Sequence, residues 1–374
     1  MHYYYNPVHI IQGNNAIDKI PDLIKQIKSS NAHVLLLTWH PSVLTQDVFQ
    51  KLINDKDFET YPLCFTASNP TINQLFETYQ QTYDFSPDIV IAIGGGSVMD
   101  IGKSLCCLYN QKINSVDELR TVINQKKYTV SSTKWIGVPT TSGTGSEVTC
   151  WATIWDTENN AKKSVECSDN YAYVAVVDPD LSAGMPISLA VSSALDAVSH
   201  AVESYWANAS NITSQTLALN AVRLIMSNID DLIDGKAFAH KAISQGSMLA
   251  GLAFSNTKTT ACHSISYPLT MHYHIPHGTA VSMLLAPIFK INQSKIENLP
   301  LLLQALSVNN ADELQKRIIS ILNRAGIPAT LRQWHVDCRD LPQLAAQGIT
   351  KGRADNNPVK LTPQIIENVL KSVY

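Results

Sequence analysis

Charge is scarce in this chain, and the two signs nearly cancel. Lys and Arg number 28 against 31 Asp and Glu, charged residues make up 16%, and the net charge is −3. Without a basic excess there is no electrostatic footprint for nucleic acid or for an anionic membrane surface. Long apolar runs are missing too: the longest, such as residues 280–289, fall well short of a bilayer span. The start, residues 1–7, has neither the basic opening nor the apolar stretch of a secretory signal, so the expected location is the cytoplasm. Cysteine is sparse, with seven residues scattered along the chain and no Cys-x-x-Cys pair. That excludes a disulfide framework and fits a reducing compartment. Internal repeats, low-complexity tracts and long linkers are absent as well.

Core material, by contrast, is plentiful, at 45% hydrophobic residues. A chain of 374 residues is too long for one ordinary core, so two domains are expected. The first half alternates short β-branched runs with helical stretches. Residues 34–38 read as a strand after the amphipathic segment 17–29, and residues 89–93 as a buried strand running into three glycines. Residues 135–138 and 173–177 read as further strands. Such alternation implies a mostly parallel sheet covered by helices. After Asp178-Pro179-Asp180 the periodicity becomes helical, with Pro186 suited to the first turn of a helix. The expected division is an α/β domain over residues 1–184 and an all-helical domain over residues 185–374.

Two loops in the first half have the texture of a nucleotide site. Gly94-Gly95-Gly96-Ser97-Val98-Met99-Asp100 follows the buried strand and precedes a helix expected over 101–109. Backbone N–H groups and a helix N-terminus can there face a pyrophosphate. The loop departs from Gly-x-Gly-x-x-Gly, because Met99 holds the last glycine position, and a glycine triplet alone is also an ordinary strand-to-helix turn. The second loop runs from Pro139 to Glu147 and is rich in hydroxyls suited to phosphate and ribose oxygens. Two such loops at the carboxyl ends of parallel strands mark the crevice where α/β sheets bind ligands.

The second half holds a candidate metal set. Asp196 and His200 are four apart in a helical stretch, which puts carboxylate and imidazole on one face, one turn apart. His263 opens another helical stretch, and His277 follows fourteen residues later. Three imidazoles and a carboxylate suit Fe²⁺, Zn²⁺, Ni²⁺ or Co²⁺. Eleven histidines guarantee some chance neighbours, and an isolated Asp-x-x-x-His is more often a plain helix pair. The weight comes from the second pair and the upstream loops. Cys262, beside His263, is set aside as a ligand because adjacent helical residues diverge by about 100°.

Four blocks taken in order, residues 94–103, 139–149, 196–203 and 263–278, resemble the group III, iron-containing alcohol dehydrogenases over nearly the whole chain. The resemblance implies a Rossmann-like dinucleotide domain, a helical domain and a metal in the cleft between them. It carries the metal ligands onto Asp196, His200, His263 and His277. It carries the pyrophosphate loop onto Gly94, Gly95, Gly96, Ser97 and Asp100, with Thr38, Thr140, Thr141 and Thr144 also lining the cofactor. Implied with these are Fe²⁺ or another divalent metal, NAD(H) or NADP(H), a small aldehyde or alcohol as substrate, and a homodimer or higher homo-oligomer.

Two departures refine the picture. Many members carry a second histidine four residues after the first ligand, where this chain has Tyr267, a phenol able to orient substrate or pass a proton. Many NAD-preferring members carry an aspartate after the second strand, where this chain reads Leu37-Thr38-Trp39-His40, so repulsion of a 2′-phosphate is lost. Within the family, the stretches 148–156 and 263–270 are most similar to phosphonoacetaldehyde reductases, which make 2-hydroxyethylphosphonate. A phosphonate needs cations. Lys258 lies five residues before His263, and Arg353 lies in a loop that the resemblance brings near the active site. A general iron-dependent alcohol dehydrogenase, a dehydroquinate synthase-like lyase and a non-catalytic assembly protein are the alternatives.

Overall fold

Leu35 and Leu37 pack into one apolar cluster while Val34 and Leu36 pack into another, as period-two alternation dictates for a strand covered on both faces. The computed structural model describes residues 3–159, 161–350 and 352–374; Met1 and His2 of the amino-terminal stretch read above lie outside the described residues. Six strands form one parallel sheet: β1 (His9–Gln12), β2 (Ala32–Thr38), β3 (Phe58–Cys64), β4 (Ile89–Gly94), β5 (Lys134–Pro139) and, after two others, β8 (Val174–Val177). Their order is β1-β8-β5-β4-β2-β3. The intervening β6 (Trp151–Asp156) and β7 (Ala161–Glu166) pair antiparallel as a separate two-stranded sheet. One face of the main sheet is covered by α1 (Ile20–Ile27) and α2 (Asp47–Asn54). The other is covered by α3 (Ile72–Tyr83), α4 (Gly96–Leu108) and α5 (Val116–Asn124).

The described chain divides into two compact units. The sheet unit comprises Pro7–Thr141 and Ser146–Leu181. The helical unit comprises Ser142–Gly145, Ser182–Tyr374 and the described residues through Asn6. The helical unit is built from α6 (Ile187–Trp206), α7 (Ile212–Ile233), α8 (Ala237–Thr257), α9 (Ala261–Tyr273), α10 (His277–Asn292), α11 (Leu299–Leu306), α12 (Ala311–Arg324), α13 (Leu341–Gln347) and α14 (Pro363–Ser372). At its centre is α6, packed by α7, α8 and α10, with each residue from Ala194 to Trp206 buried. A helix buried all round is normally apolar all round. This one carries Asp196, His200 and Glu203 into the interior, and that exception locates the site. Among the described residues no helix is long and apolar enough to cross a membrane.

Several local expectations shift. Segment 17–29 begins as a 3-10 turn over Ala16–Lys19 before α1 starts, and α4 begins at Gly96 rather than at residue 101. Pro186 is the N-cap of α6 instead of lying in its first turn. Lys162 and Lys163 are half-buried residues of β7.

Candidate metal centre and nucleotide loop

Positions 196, 200 and 203 follow one another at i, i+4 and i+7, so α6 presents two carboxylates and an imidazole along one face. Against that face α10 comes unusually close. A Cβ on Gly278 would lie 2.1 Å from the Ser192 carbonyl oxygen and 3.0 Å from Asp196 Cβ, so only glycine lets the first turn of α10 approach. His277, the first residue of α10, is thereby brought beside Asp196, and α9 adds His263. One donor atom each from Asp196, His263 and His277 lies within 4.8 Å of the others.

Whether these residues fit a metal is decided by two orphaned atoms. Asp196 Oδ1 and His263 Nε2 are buried, have no hydrogen-bond partner, and lie 3.4 Å apart. Each unsatisfied buried polar group costs roughly 1–3 kcal/mol. A cation between them satisfies both, and the mixed oxygen and nitrogen donors suit a first-row divalent ion. The set fits.

His200 is the fourth expected ligand, and the structure places it beside the three-residue cluster rather than within the mutual 4.8 Å distance. Its ring stacks on His263 at 4.3 Å and on Phe254 at 4.2 Å between centroids. Its Nδ1 is 3.2 Å from the Gly143 carbonyl oxygen. Donating there makes Nε2 the lone-pair atom. Burial, aided by neighbouring His263, holds the His200 pKa well below the ordinary value.

Glu203 is the functional residue that the sequence reading passed over. It is fully buried, its Oε2 faces His263 Nδ1 at short range, and its Oε1 accepts from Thr260 Oγ1 at 2.8 Å and from the Cys262 N–H at 2.6 Å. A carboxylate on one ring nitrogen orients the other toward a metal and raises its basicity. Burial alone would raise the Glu203 pKa, but His263 and the hydroxyl and N–H donors outweigh it and the net shift is downward. Burial likewise opposes a charge on His263, yet Glu203 and Asp196 prevail and raise its pKa. The available signal was the i+7 spacing of a carboxylate in an otherwise apolar stretch.

Tyr267 lies one turn beyond His263, and its ring stacks on His277 at 5.9 Å with 8° between the planes. The tyrosine is buried, which pushes its pKa up to about 12 and keeps the phenol protonated at neutral pH. The half-buried Arg353 guanidinium sits 5.7 Å over the Tyr267 ring and donates to Thr259 Oγ1. The loop around Arg353 is fastened at both ends. Ser264 Oγ donates to the Gly348 carbonyl at 2.6 Å and accepts from the Thr350 N–H at 2.8 Å. Asn356 Nδ2 donates to the carbonyls of Thr257 at 2.8 Å and Thr259 at 3.2 Å. Between those two carbonyls, Lys258 has φ 60° and ψ −179°, a conformation otherwise left to glycine. His272, in the last turn of α9, is bonded to Gln347, and His274 ends the helix in the left-handed region.

In the sheet unit, Gly95 is the N-cap of α4 and Gly96 its first residue, so the expected loop does open a helix at the end of β4. The Gly94 carbonyl accepts from the Thr140 N–H at 3.0 Å, which ties the two loops together. A Cβ on Gly95 would stand 3.3 Å from the Thr141 side chain, and one on Gly94 would stand 2.6 Å from Val98. The tighter packing is thus at Gly94. Ser97 Oγ accepts from the Asn69 N–H at 3.2 Å, and the fully buried Thr38 Oγ1 is engaged with Cys64 Sγ at 3.3 Å. Thr144 lies in the stretch 142–145 that groups with the helical unit.

Asp100, the last residue of the expected loop, is tied to the second loop. Its oxygens accept from Ser146 Oγ and from the Thr153 N–H, both at 2.9 Å, so it holds the second loop from beneath. Beside it lies a fully buried lysine that the sequence reading did not single out. Lys103 Nζ donates to Thr149 Oγ1 at 2.9 Å and to the Trp151 carbonyl at 3.0 Å, and burial lowers its pKa to about 8.

Known proteins match this arrangement along its length. Residues 7–179 match the family model for iron-containing alcohol dehydrogenase, and residues 190–374 match that for the C-terminal part of the Fe-containing alcohol dehydrogenase family. The chain is 26% identical over 317 residues to the NADPH-dependent butanol dehydrogenase of Clostridium saccharobutylicum, covering 82% of this chain and 81% of the relative. It is 28% identical over 370 residues to the sulfoacetaldehyde reductase of Bilophila wadsworthia, covering 95% and 94%. The crystal structure of sulfoacetaldehyde reductase from Bifidobacterium kashiwanohense in complex with NAD⁺ aligns with a TM-score of 0.88 at 23% identity, covering 100% of this chain and 98% of that one. At that identity the likeness speaks for the fold. With both halves matched in order, and with buried carboxylate and imidazole donors where the helical half needs them, the chain belongs to the iron-containing alcohol dehydrogenase family, a family of oxidoreductases.

Proposed function

We propose that the protein is a metal-dependent NAD(P)H aldehyde reductase whose substrate carries an anionic group beside the aldehyde, with phosphonoacetaldehyde reduced to 2-hydroxyethylphosphonate as the specific reaction. Asp196, His200, His263 and His277 hold the divalent cation in this reading, and Gly94–Ser97 with Thr38, Thr140, Thr141 and Thr144 serve the cofactor. When bound, the cation supplies Lewis acidity toward the carbonyl oxygen and the nicotinamide supplies the hydride. Glu203 keeps His263 in the tautomer and orientation that ligation needs. The buried apolar surroundings of the ligands exclude water, and the enzyme is taken to be a cytoplasmic homodimer or larger homo-oligomer.

Arg353 carries the substrate reading. Among the described residues its guanidinium makes one hydrogen bond, to Thr259, and no ion pair, although it lies over the ring that stacks on His277. A half-buried guanidinium without a carboxylate partner has N–H groups to spare for an anion, and its fork matches phosphonate oxygens. The 28% identical sulfoacetaldehyde reductase, whose name describes a small anionic aldehyde, supports that class. Sulfoacetaldehyde is therefore the competing substrate. The NADPH-dependent butanol dehydrogenase relative favours a second reading, a general alcohol dehydrogenase.

A charge-assisted contact is worth roughly 1.5–3 kcal/mol, or about ten- to a hundredfold in kcat/KM. Steady-state assays of Fe²⁺-loaded protein with NADH and NADPH decide the matter. Phosphonoacetaldehyde is expected to exceed propanal by that margin and to exceed sulfoacetaldehyde. If propanal or butanal is the better substrate, the anionic reading fails and the general dehydrogenase stands.

A further inference from the structure

We propose that Tyr267 acts through the face of its ring, as a positioning residue that carries Arg353 over the metal centre and so sets the preference for a charged substrate. The inference rests on the proposed function, since it concerns how that function's anion contact is held. It replaces the role of the phenol that the sequence suggested, the passing of a proton.

Three observations lead to it. The Tyr267 ring lies nearly parallel to the His277 ring, at 8°, so its plane is set by a residue of the metal cluster. The Arg353 guanidinium lies 5.7 Å over that ring, within the range at which the negative face of an aromatic attracts a cation. Thr259 Oγ1 accepts one of the guanidinium N–H groups, so a ring below and a hydroxyl at one corner limit where the side chain can go. The segment behind it is equally constrained, because Ser264 holds residues 348 and 350 and Asn356 holds the carbonyls of Thr257 and Thr259. A long side chain fixed in this way loses less freedom when an anion binds, which is how preorganisation improves affinity. An aliphatic residue at 267 would fill space but offer the cation no face.

The test compares wild type, Tyr267→Phe, Tyr267→Leu and Thr259→Val. For each, the ratio of kcat/KM for phosphonoacetaldehyde to that for propanal is split into KM and kcat, alongside metal content per chain and the pH dependence of kcat. Tyr267→Phe keeps the ring, and should hold the ratio within about twofold with a pH profile that overlays the wild type. Tyr267→Leu should lower the ratio about tenfold, the change lying in KM for the charged aldehyde, and Thr259→Val should lower it several-fold. Metal content shows whether the leucine variant has disturbed His277, and Thr259→Val gives an independent reading if it has. The inference is overturned if Tyr267→Phe loses tenfold or more in kcat on both aldehydes and changes the pH profile, since the hydroxyl is then the working group. It is also overturned if the leucine and valine variants keep the full ratio. A wild type that shows no preference for charge defeats the proposed function itself, a result distinct from either of these.

Discussion

The candidate metal centre and the proposed nucleotide loop lie in different units and are built on opposite plans. In the helical unit the site is made of side chains that other side chains hold in place: Glu203 holds His263, and Thr260 holds Glu203. In the sheet unit the loop is made of backbone, with Gly95 capping α4 and the Gly94 carbonyl tied to Thr140. A site of the first kind is broken by taking atoms away. One of the second kind is broken by adding them.

Removal of ligands is the strongest way to break the comparison. His263→Ala and His277→Ala should each lose nearly all bound metal, as read by elemental analysis of purified protein, and full occupancy in both would dismiss the cluster. Glu203→Gln removes the carboxylate behind His263 and should weaken metal affinity about 10- to 100-fold, measured by chelator competition. An unaltered affinity would reduce Glu203 to packing. On the other side, Gly95→Val adds atoms against Thr141. Overpacking of this kind costs about 1–3 kcal/mol, or about five- to 140-fold in the dissociation constant for NAD(P)H, with metal content retained. Equal loss of metal in that variant would show that the two plans are not separable.

Lys258→Gly sharpens the comparison, because it relaxes a backbone that the helical unit holds in strain. The conformation costs of order 1–3 kcal/mol, and glycine gives back about 0.5–1 kcal/mol in chain entropy. A net gain of about 1 kcal/mol is expected, visible as a raised thermal midpoint. A lowered midpoint would mean that the lysine side chain contributes more than the strain removes.

The last prediction concerns pH and belongs to the sheet unit. Burial raises the Glu147 pKa to about 7, above its unfolded value. Between about pH 4.5 and 7 the native state therefore holds the extra proton, and this contribution to stability is lost as pH rises through that window. Burial lowers the Lys103 pKa to about 8, so its contribution is present above the unfolded value near 10.5 and is lost as pH falls toward 8. Thermal midpoints across pH 5–10 should dip near 7–8, and Glu147→Gln should flatten the acidic arm. An unchanged acidic arm in that variant would remove Glu147 from the explanation.

What could be read in advance follows the same division. Central strands β2, β4, β5 and β8 are covered on both faces, so each carries an apolar run, residues 34–37 in β2 and 135–138 in β5. Edge strands β1 and β3 were missed: β1 is four residues long, and β3 includes Glu59 and Pro62, residues that an edge tolerates. The β6–β7 hairpin was hidden because Lys162 and Lys163 give β7 the look of a loop. At the site, the Asp196 and His200 pair was visible in helical spacing, whereas pairing His263 with His277 needs the close approach of α10 at Gly278, a tertiary fact. Arg353 was reachable through the family resemblance and not from its local sequence. Its partners Thr259 and Tyr267 are 94 and 86 residues away in sequence (353 − 259 and 353 − 267), so only the folded chain brings them together.

Placing Asp196, His200 and Glu203 on a single helix has a mechanical consequence. α6 is a rigid rod, and His263 and His277 reach it from α9 and α10. A cation gripped at that point is a rivet through three helices. Its hold on the folded form grows with the concentration of free metal relative to the dissociation constant. With the ion held as proposed, the stability of the helical unit would follow the free-metal concentration, and removal of the ion should loosen the α9–α10 corner before it disturbs the parallel sheet.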